Sequence, residues 1–190
     1  MTRRRPAHRP LKQQIYVGCE GASEASYAAL LQDFITQAGL PFYLKIDDLG
    51  RGAGDPLARV EMAVIRIAQQ TKKRTAPDAC FLLLDTDQVA LDLQRAERAR
   101  RMAADNNITL VWQDPCFEAV LLRHLPNRAA LRPHDSKRAE DALVRDWPDY
   151  QKPMPRARLA QRIDMEAVTR AAAAEPDLAR LLSALGLIEV

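Results

Sequence analysis

Four short apolar runs, each followed by a stretch of helical period, constrain the fold of this chain more than any single motif. The runs are Gln14-Ile15-Tyr16-Val17-Gly18-Cys19, residues 40–46, Cys80-Phe81-Leu82-Leu83-Leu84 and residues 108–112. Their length suits buried strands and falls short of buried helices. After the first run, Tyr27, Leu30, Leu31, Phe34 and Ile35 form one helical stripe that stops at Gly39, with Ser23 as the expected N-cap. After the second, Asp55 and Pro56 read as the N-cap and first turn of a helix carrying Leu57, Val60, Val64 and Ile67. A third helix is predicted over 91–105, and Asp114-Pro115 opens a fourth that carries Phe117, Val120, Leu121 and Leu122. Strand and helix in strict alternation predict an α/β fold, a Rossmannoid and mostly parallel sheet with helices on both faces.

Beyond residue 125 no further strand pattern occurs. Residues 136–146, 155–174 and 176–185 read as helices punctuated by Pro148, Pro153, Pro155 and Pro176. The expected organisation is therefore a basic flexible arm over 1–13, an α/β domain over 14–125 and a helical C-terminal extension over 126–190. Leu181, Leu182, Leu185, Leu187 and Ile188 give that extension an apolar face. Packing against the sheet domain is the expected use of it, and a partner surface is the alternative.

A chain of 190 residues holds one sizeable core. No apolar stretch approaches the roughly 18–20 residues that span a bilayer, and the arginine-rich start has no apolar segment behind it. The expected location is the cytoplasm, with no membrane partner. Cys19, Cys80 and Cys116 are odd in number and far apart, so they read as buried thiols. His8, His124 and His134 lack the spacing of a zinc pair.

The formal charge of +3 is unevenly placed. Arg3, Arg4, Arg5, Arg9 and Lys12 give the first fourteen residues +5, which leaves −2 for the rest. The arm is thus a candidate for phosphate contacts, and a solubilising end is the alternative. Lys72-Lys73-Arg74 and Arg95, Arg98, Arg100 and Arg101 read first as solvated helix faces, with a surface that tracks phosphates as the second reading.

Acids stand at the ends of two of the strand runs, Glu20-Gly21 after the first and Asp85-Thr86-Asp87 after the third. In open α/β sheets ligands bind in the crevice beyond the carboxyl ends of the strands, so the two motifs can share a site. A helix N-cap or a favourable charge near a helix start is the structural alternative for each. Gly21 is expected to allow a sharp turn and a close substrate approach. Asp85 and Asp87, two apart on an extended segment, would lie on one side, where carboxylates repel unless a proton or cation joins them. Mg2+ or Mn2+ suits such a site, because hard cations of this size bind through one or two carboxylates, water and substrate phosphate. Glu20 is then a ligand or the general acid or base, and the chemistry is phosphodiester hydrolysis. Glu24 and Glu118, each in the first turn of a helix at the same end of the sheet, are secondary candidates. The loop Gly50 to Gly54 lacks the Gly-Lys-Ser/Thr ending of a P-loop and reads as a flap.

A strand ending in Glu-Gly followed later by one ending in Asp-x-Asp resembles the Toprim domain of topoisomerases, primases, recombination-type proteins and overcoming-lysogenization-type nucleases. More narrowly, the chain is similar to RloB-like proteins of bacterial restriction and phage-defence loci. The resemblance runs through Val17-Gly18-Cys19-Glu20-Gly21 with Ser23-Glu24 and Tyr27, Gly52-Ala53-Gly54-Asp55-Pro56-Leu57, Leu84-Asp85-Thr86-Asp87, and Asp114-Pro115-Cys116-Phe117-Glu118-Ala119-Val120-Leu121-Leu122. It covers residues 3–125, and more weakly Trp147-Pro148-Asp149-Tyr150. One departure is Asp114, where the motif more often has asparagine.

The resemblance implies that Glu20 is the Toprim glutamate and that Asp85 and Asp87 bind metal. It implies a metal-dependent nuclease in phage defence, acting on DNA or RNA, and an ABC-type ATPase partner encoded nearby. A homo-oligomer is left open. Two rival classes remain: a regulatory or binding subunit that cuts only once a partner completes its site, favoured by the near-neutral body, and a receiver-like phosphoacceptor. The second fits less well, because it wants an acidic pair at the first strand and one aspartate at the third.

Overall fold

The computed structural model describes residues 12–50, 55–73 and 75–189. Its first part contains β1 (Gln13–Cys19), α1 (Ala22–Gln37), β2 (Phe42–Asp48), α2 (Pro56–Lys73), β3 (Ala79–Asp85), a 3-10 turn at Val89–Leu91, α3 (Leu93–Asp105), β4 (Ile108–Gln113) and α4 (Phe117–His124). The four strands are all parallel, in the order β2-β1-β3-β4. The chain leaves β1 to one side for β2, then crosses back to the other side for β3. The strand order therefore reverses between β1 and β3, which is where a Rossmann-like sheet opens its ligand crevice.

Side chains alternate across the sheet and divide the core in two. Ile15, Val17 and Cys19 join α1 in one apolar cluster, whereas Tyr16, Leu82 and Leu84 pack with Leu57, Val60 and Ala63 of α2 and with Ala99 and Ala103 of α3. Gly18 fits this second layer because a Cβ there would stand 2.3 Å from Leu82 Cδ1.

The helix ends obey local chemistry. Gly39, at φ +67°, closes α1 in a Schellman turn, in which Leu40 N donates to Ile35 O at 3.0 Å and Gly39 N to Thr36 O at 3.2 Å. Asp55 caps α2 as expected, accepting from Leu57 N at 2.9 Å. Ser23 does not cap α1. Gly21 holds that position with no side-chain bond, and the buried Ser23 instead accepts from Met154 N at 3.4 Å. The second strand begins two residues later than expected, because Pro41 has no N–H for the ladder and contributes only its carbonyl, which accepts from Gln13 N at 2.7 Å.

The C-terminal part comprises α5 (Ser136–Asp146), α6 (Arg156–Leu159), α7 (Met165–Ala172) and α8 (Pro176–Ala184). The single helix expected over 155–174 is two, because Asp164 turns its carboxylate onto Ala167 N at 2.8 Å and starts α7 afresh behind the buried Ile163. Leu143, Leu159, Val168, Leu181, Leu182 and Leu185 are all buried, and they belong to the same cluster as Ile15, Val17 and α1. A side chain takes one N–H on each sheet edge: Leu44 N donates to Gln32 Oε1 at 2.7 Å on β2, and Trp112 N to Asp177 Oδ2 at 3.1 Å on β4.

Candidate functional site

Of the two strands that flank the reversal, β1 ends at Cys19 opposite Leu83, and β3 runs two residues further, to Asp85. The next side chain on β1 is Glu20, and its Oε2 accepts a 3.0 Å hydrogen bond from the backbone N–H of Asp85, the last residue of β3. Around this junction lies a cleft of about 250 Å³ lined by the carboxylates of Glu20, Glu24, Asp48 and Asp85 and by two cations, Arg59 and Lys152.

Burial and mutual repulsion govern these acids. Asp85 is pushed up to about 9, first by burial and then by the charges of Glu24, Glu20, Asp87 and Glu118. Its Oδ1 is buried and accepts no hydrogen bond. Glu24, 7% exposed in the first turn of α1, is pushed up to about 7, again chiefly by burial, with Glu20 and Glu118 adding to it. Burial also raises Glu20, against the opposing pull of the Asp85 N–H and of Arg59, whose Nη2 stands 3.9 Å from Oε1. Burial acts on Glu118 in the same sense, yet Lys152 and Tyr150 outweigh it and hold this carboxyl below its usual range. Both partners reach Glu118 Oε1 at 2.7 Å.

Asp87 is placed differently from the expectation of a shared extended segment. The strand ends at Asp85, and Thr86 N and Asp87 N both donate to Pro115 O at 3.1 Å, which turns the chain. Asp87 is exposed, and its carboxylate accepts from Ser136 Oγ at 2.9 Å. Its charge still raises Asp85 and Glu20. The chain does bend at Glu20 and Gly21, but the bend does not require a glycine. At φ −155° and ψ −174° its backbone is open to any residue, and a Cβ there would meet only Glu24 Oε2, at 3.4 Å.

Do these residues fit a metal? No three His, Cys, Asp or Glu side chains among the described residues converge closely enough to hold an ion as they stand. The orphaned Asp85 Oδ1 and the all-oxygen donor set do fit a cation bound by one or two carboxylates, with water and phosphate completing its shell.

Of the basic residues proposed from sequence, Arg3, Arg4, Arg5 and Arg9 lie outside the described residues, as do residues 51–54 of the glycine-rich loop. Lys12 is exposed and precedes β1, so the length of that strand, about 23 Å at ~3.3 Å per residue, separates it from Glu20. His124 is wholly buried, His134 is exposed and the cysteines are free. No described helix is long and apolar enough to cross a membrane.

Arg59 and Lys152 went unnoticed in the sequence, and Tyr150 stood out only as the end of a weakly similar segment. Arg59 had a readable signal: it lies four residues before the buried Ala63 and three after Pro56, on the inward face of α2, and a buried arginine needs an acid. Lys152 had none, because it sits in a loop that packing alone brings to the cleft.

A protein-family model described as RloB-like protein matches residues 15–180. The chain belongs to the RloB-like family. No curated protein and no solved structure matches it. The match reaches into α8, so this RloB-like unit includes the C-terminal helices together with the sheet.

Proposed function

We propose that this RloB-like protein is a nucleic-acid phosphodiesterase of the Toprim kind that requires Mg2+ or Mn2+ and serves defence against foreign nucleic acid in the bacterial cytoplasm. The observation that carries the reading is the Glu20–Asp85 junction at the strand reversal, where a buried carboxylate oxygen is left without a partner. Asp85, Glu20 and Asp87 are the residues that would hold the metal. When bound, Mg2+ or Mn2+ supplies a Lewis acid for the phosphoryl oxygens and lowers the pKa of water.

The protein's own groups supply the rest. Arg59 and Lys152 are the cations that line the cleft where phosphate oxygens would enter. Glu24, with its pKa near 7, is suited to move a proton at neutral pH. Tyr150 holds Glu118, and Glu118 in turn orients Lys152.

A second reading, activation by a partner, is favoured by two observations. Lys152 is already engaged with Glu118, and no three carboxylates converge as they stand among the described residues. By the family resemblance the partner is an ABC-type ATPase, which would rearrange the cleft and bring substrate.

Cleavage assays decide between these readings. The protein is incubated with Mg2+ or Mn2+ and labelled single-stranded DNA, duplex DNA or tRNA, with and without an ATPase encoded beside it. Metal-dependent cleavage by the protein alone, lost in Glu20→Gln and Asp85→Asn, supports the first reading. Cleavage only with the ATPase supports the second. Absence of cleavage under every condition rejects both.

A further inference from the structure

A groove of about 450 Å³ is separate from the acidic cleft. It forms because α2 and α3 pack over β1, β3 and β4 and leave the same face of β2 bare. Tyr43, Lys45 and Asp47 alternate onto that face, and Arg66 and Lys73 of α2 form the opposite wall. We propose that this groove binds a single strand of nucleic acid by its phosphates and leads it to the acidic cleft. The proposal rests on the phosphodiester reading of that cleft.

Three features carry it. Arg59, Arg66 and Lys73 recur at intervals of seven along α2, a spacing that drifts only ~20° per step and advances ~10.5 Å. They make one cationic stripe about 21 Å long, the length of roughly six stacked nucleotides. Arg59 lines the cleft, whereas Arg66 and Lys73 line the groove, so the stripe joins the two. The join is also continuous through the backbone: Asp47 lines the groove, Asp48 lines the cleft, and Arg66 Nη1 donates to Asp48 O at 3.0 Å.

The charge is available. Asp47, the only acid of the groove, is taken up by Arg66 and by the Tyr16 hydroxyl, which donates to it at 2.9 Å. Lys45 is exposed, as is Lys73, and neither has an ion-pair partner among the described residues.

The chemistry of the walls selects the occupant. Tyr43 is 49% exposed, an aromatic face on which a base can stack. The amides of Gln14, Gln69 and Gln70 offer hydrogen bonds to bases and sugars. An added peptide strand is disfavoured, because Leu44 N on the edge of β2 is already bonded to Gln32. A duplex is too wide to lie between a helix and the strand beside it.

Fluorescence anisotropy tests the proposal with labelled oligo-dT and oligo-rU of about twelve nucleotides, twice the length of the track, and the full chain in EDTA. Wild type should bind both oligonucleotides. The double variant Lys45→Gln/Lys73→Gln should bind at least ~10-fold more weakly, with a salt slope smaller by about 1.4 for two lost phosphate contacts. Tyr43→Ala should lose about 10-fold through stacking. The groove variants should melt like wild type, because Tyr43, Lys45 and Lys73 are exposed.

Unchanged affinity in the double variant overturns the groove, and so does equal affinity for polyglutamate. Metal-dependent cleavage without binding in EDTA also overturns the groove and leaves the cleft standing. Binding through the groove with no cleavage under any condition keeps the groove and removes the nuclease reading.

Discussion

Replacing Asp85 by asparagine should stabilise the metal-free protein at alkaline pH, although it removes a central residue of the candidate site. The folded protein holds a proton on Asp85 up to about pH 9. An unfolded aspartate releases it near 3.9. Between those values the folded state binds the extra proton, so the stability associated with Asp85 is fully present below pH ~4 and is lost as pH rises towards 9. The slope is at most about 1.4 kcal/mol per pH unit, or ~4 kcal/mol between pH 5 and 8. Entry of water into the open cleft on ionisation reduces this to roughly 2 kcal/mol.

Asparagine is neutral throughout, and its amide can donate to Glu20 or Glu24. In EDTA at pH 8 the variant should therefore melt about 4–8 °C above wild type, with ~2–4 °C per kcal/mol for a chain of this size. The gap should close below pH ~4, where Asp85 is protonated in both folded and unfolded states. Adding Mg2+ at pH 8 should raise the melting temperature of wild type and leave that of the variant unchanged. Differential scanning calorimetry across pH, with EDTA and with Mg2+, reads both effects. Equal melting of the two proteins at pH 8 in EDTA would refute the picture of a repelled, buried carboxylate. An equal response of both to Mg2+ would refute its link to metal.

Three further outcomes are expected. His124 is buried with Nδ1 on Val120 O at 2.8 Å and Nε2 on the Tyr27 hydroxyl at 2.9 Å, so Nδ1 donates, Nε2 accepts and the ring is neutral. Its pKa is lowered to about 4 by burial, so as pH falls from 6.5 to 4 the fold should lose up to ~3 kcal/mol in urea titrations. His124→Gln should remove that pH slope, and a slope that persists in the variant would reject the assignment. Arg123, 1% exposed, pairs with Glu175, so Arg123→Met should cost about 3–5 kcal/mol by leaving a buried acid alone. Adding Glu175→Gln should recover part of that loss, and additive losses would deny the coupling. Leu181→Ala should cost ~2–5 kcal/mol and lower one common transition followed at Trp112 and Trp147; an earlier transition confined to Trp147 would mean that the helices after β4 melt separately.

The sheet was legible because its signals are local. Apolar runs such as 80–84 allow few alternatives, and Gly39 and Asp55 mark helix ends by the chemistry of their own residues. Legibility failed where partners come from far along the chain. Ser23 has the chemistry of an N-cap, yet its hydroxyl goes to Met154, 131 residues away. Asp87 reads as a strand neighbour of Asp85 only until Pro115 O takes two successive N–H groups and bends the backbone. The inward face of α2 was read through Leu57, Val60, Val64 and Ile67, which hid Arg59 although it is 5% exposed. A helical stripe found by hydrophobicity passes over the one charged residue that such a stripe can bury.

Lys152 carries this reasoning to the site itself. The loop between α5 and α6 is held where Trp147, Tyr150 and Met154 are buried, where Tyr150 donates to Glu118, and where Met154 N meets Ser23. These anchors come from α1 and α4, the helices whose first turns carry Glu24 and Glu118. The loop therefore fixes a cation between two acids of the βα repeat. Without Lys152, the cleft's four lining carboxylates would face Arg59 alone. Repulsion would then push Glu20 and Glu24 further up, and protonation would compete with any divalent ion for their oxygens. By holding Glu118 ionised, Lys152 keeps one carboxylate in reserve without adding a proton to the cleft. The segment after α4 thus sets the charge state on which the proposed metal binding at Asp85 would depend, and shortening the chain to its βα repeat would remove that control together with about a third of the buried apolar residues.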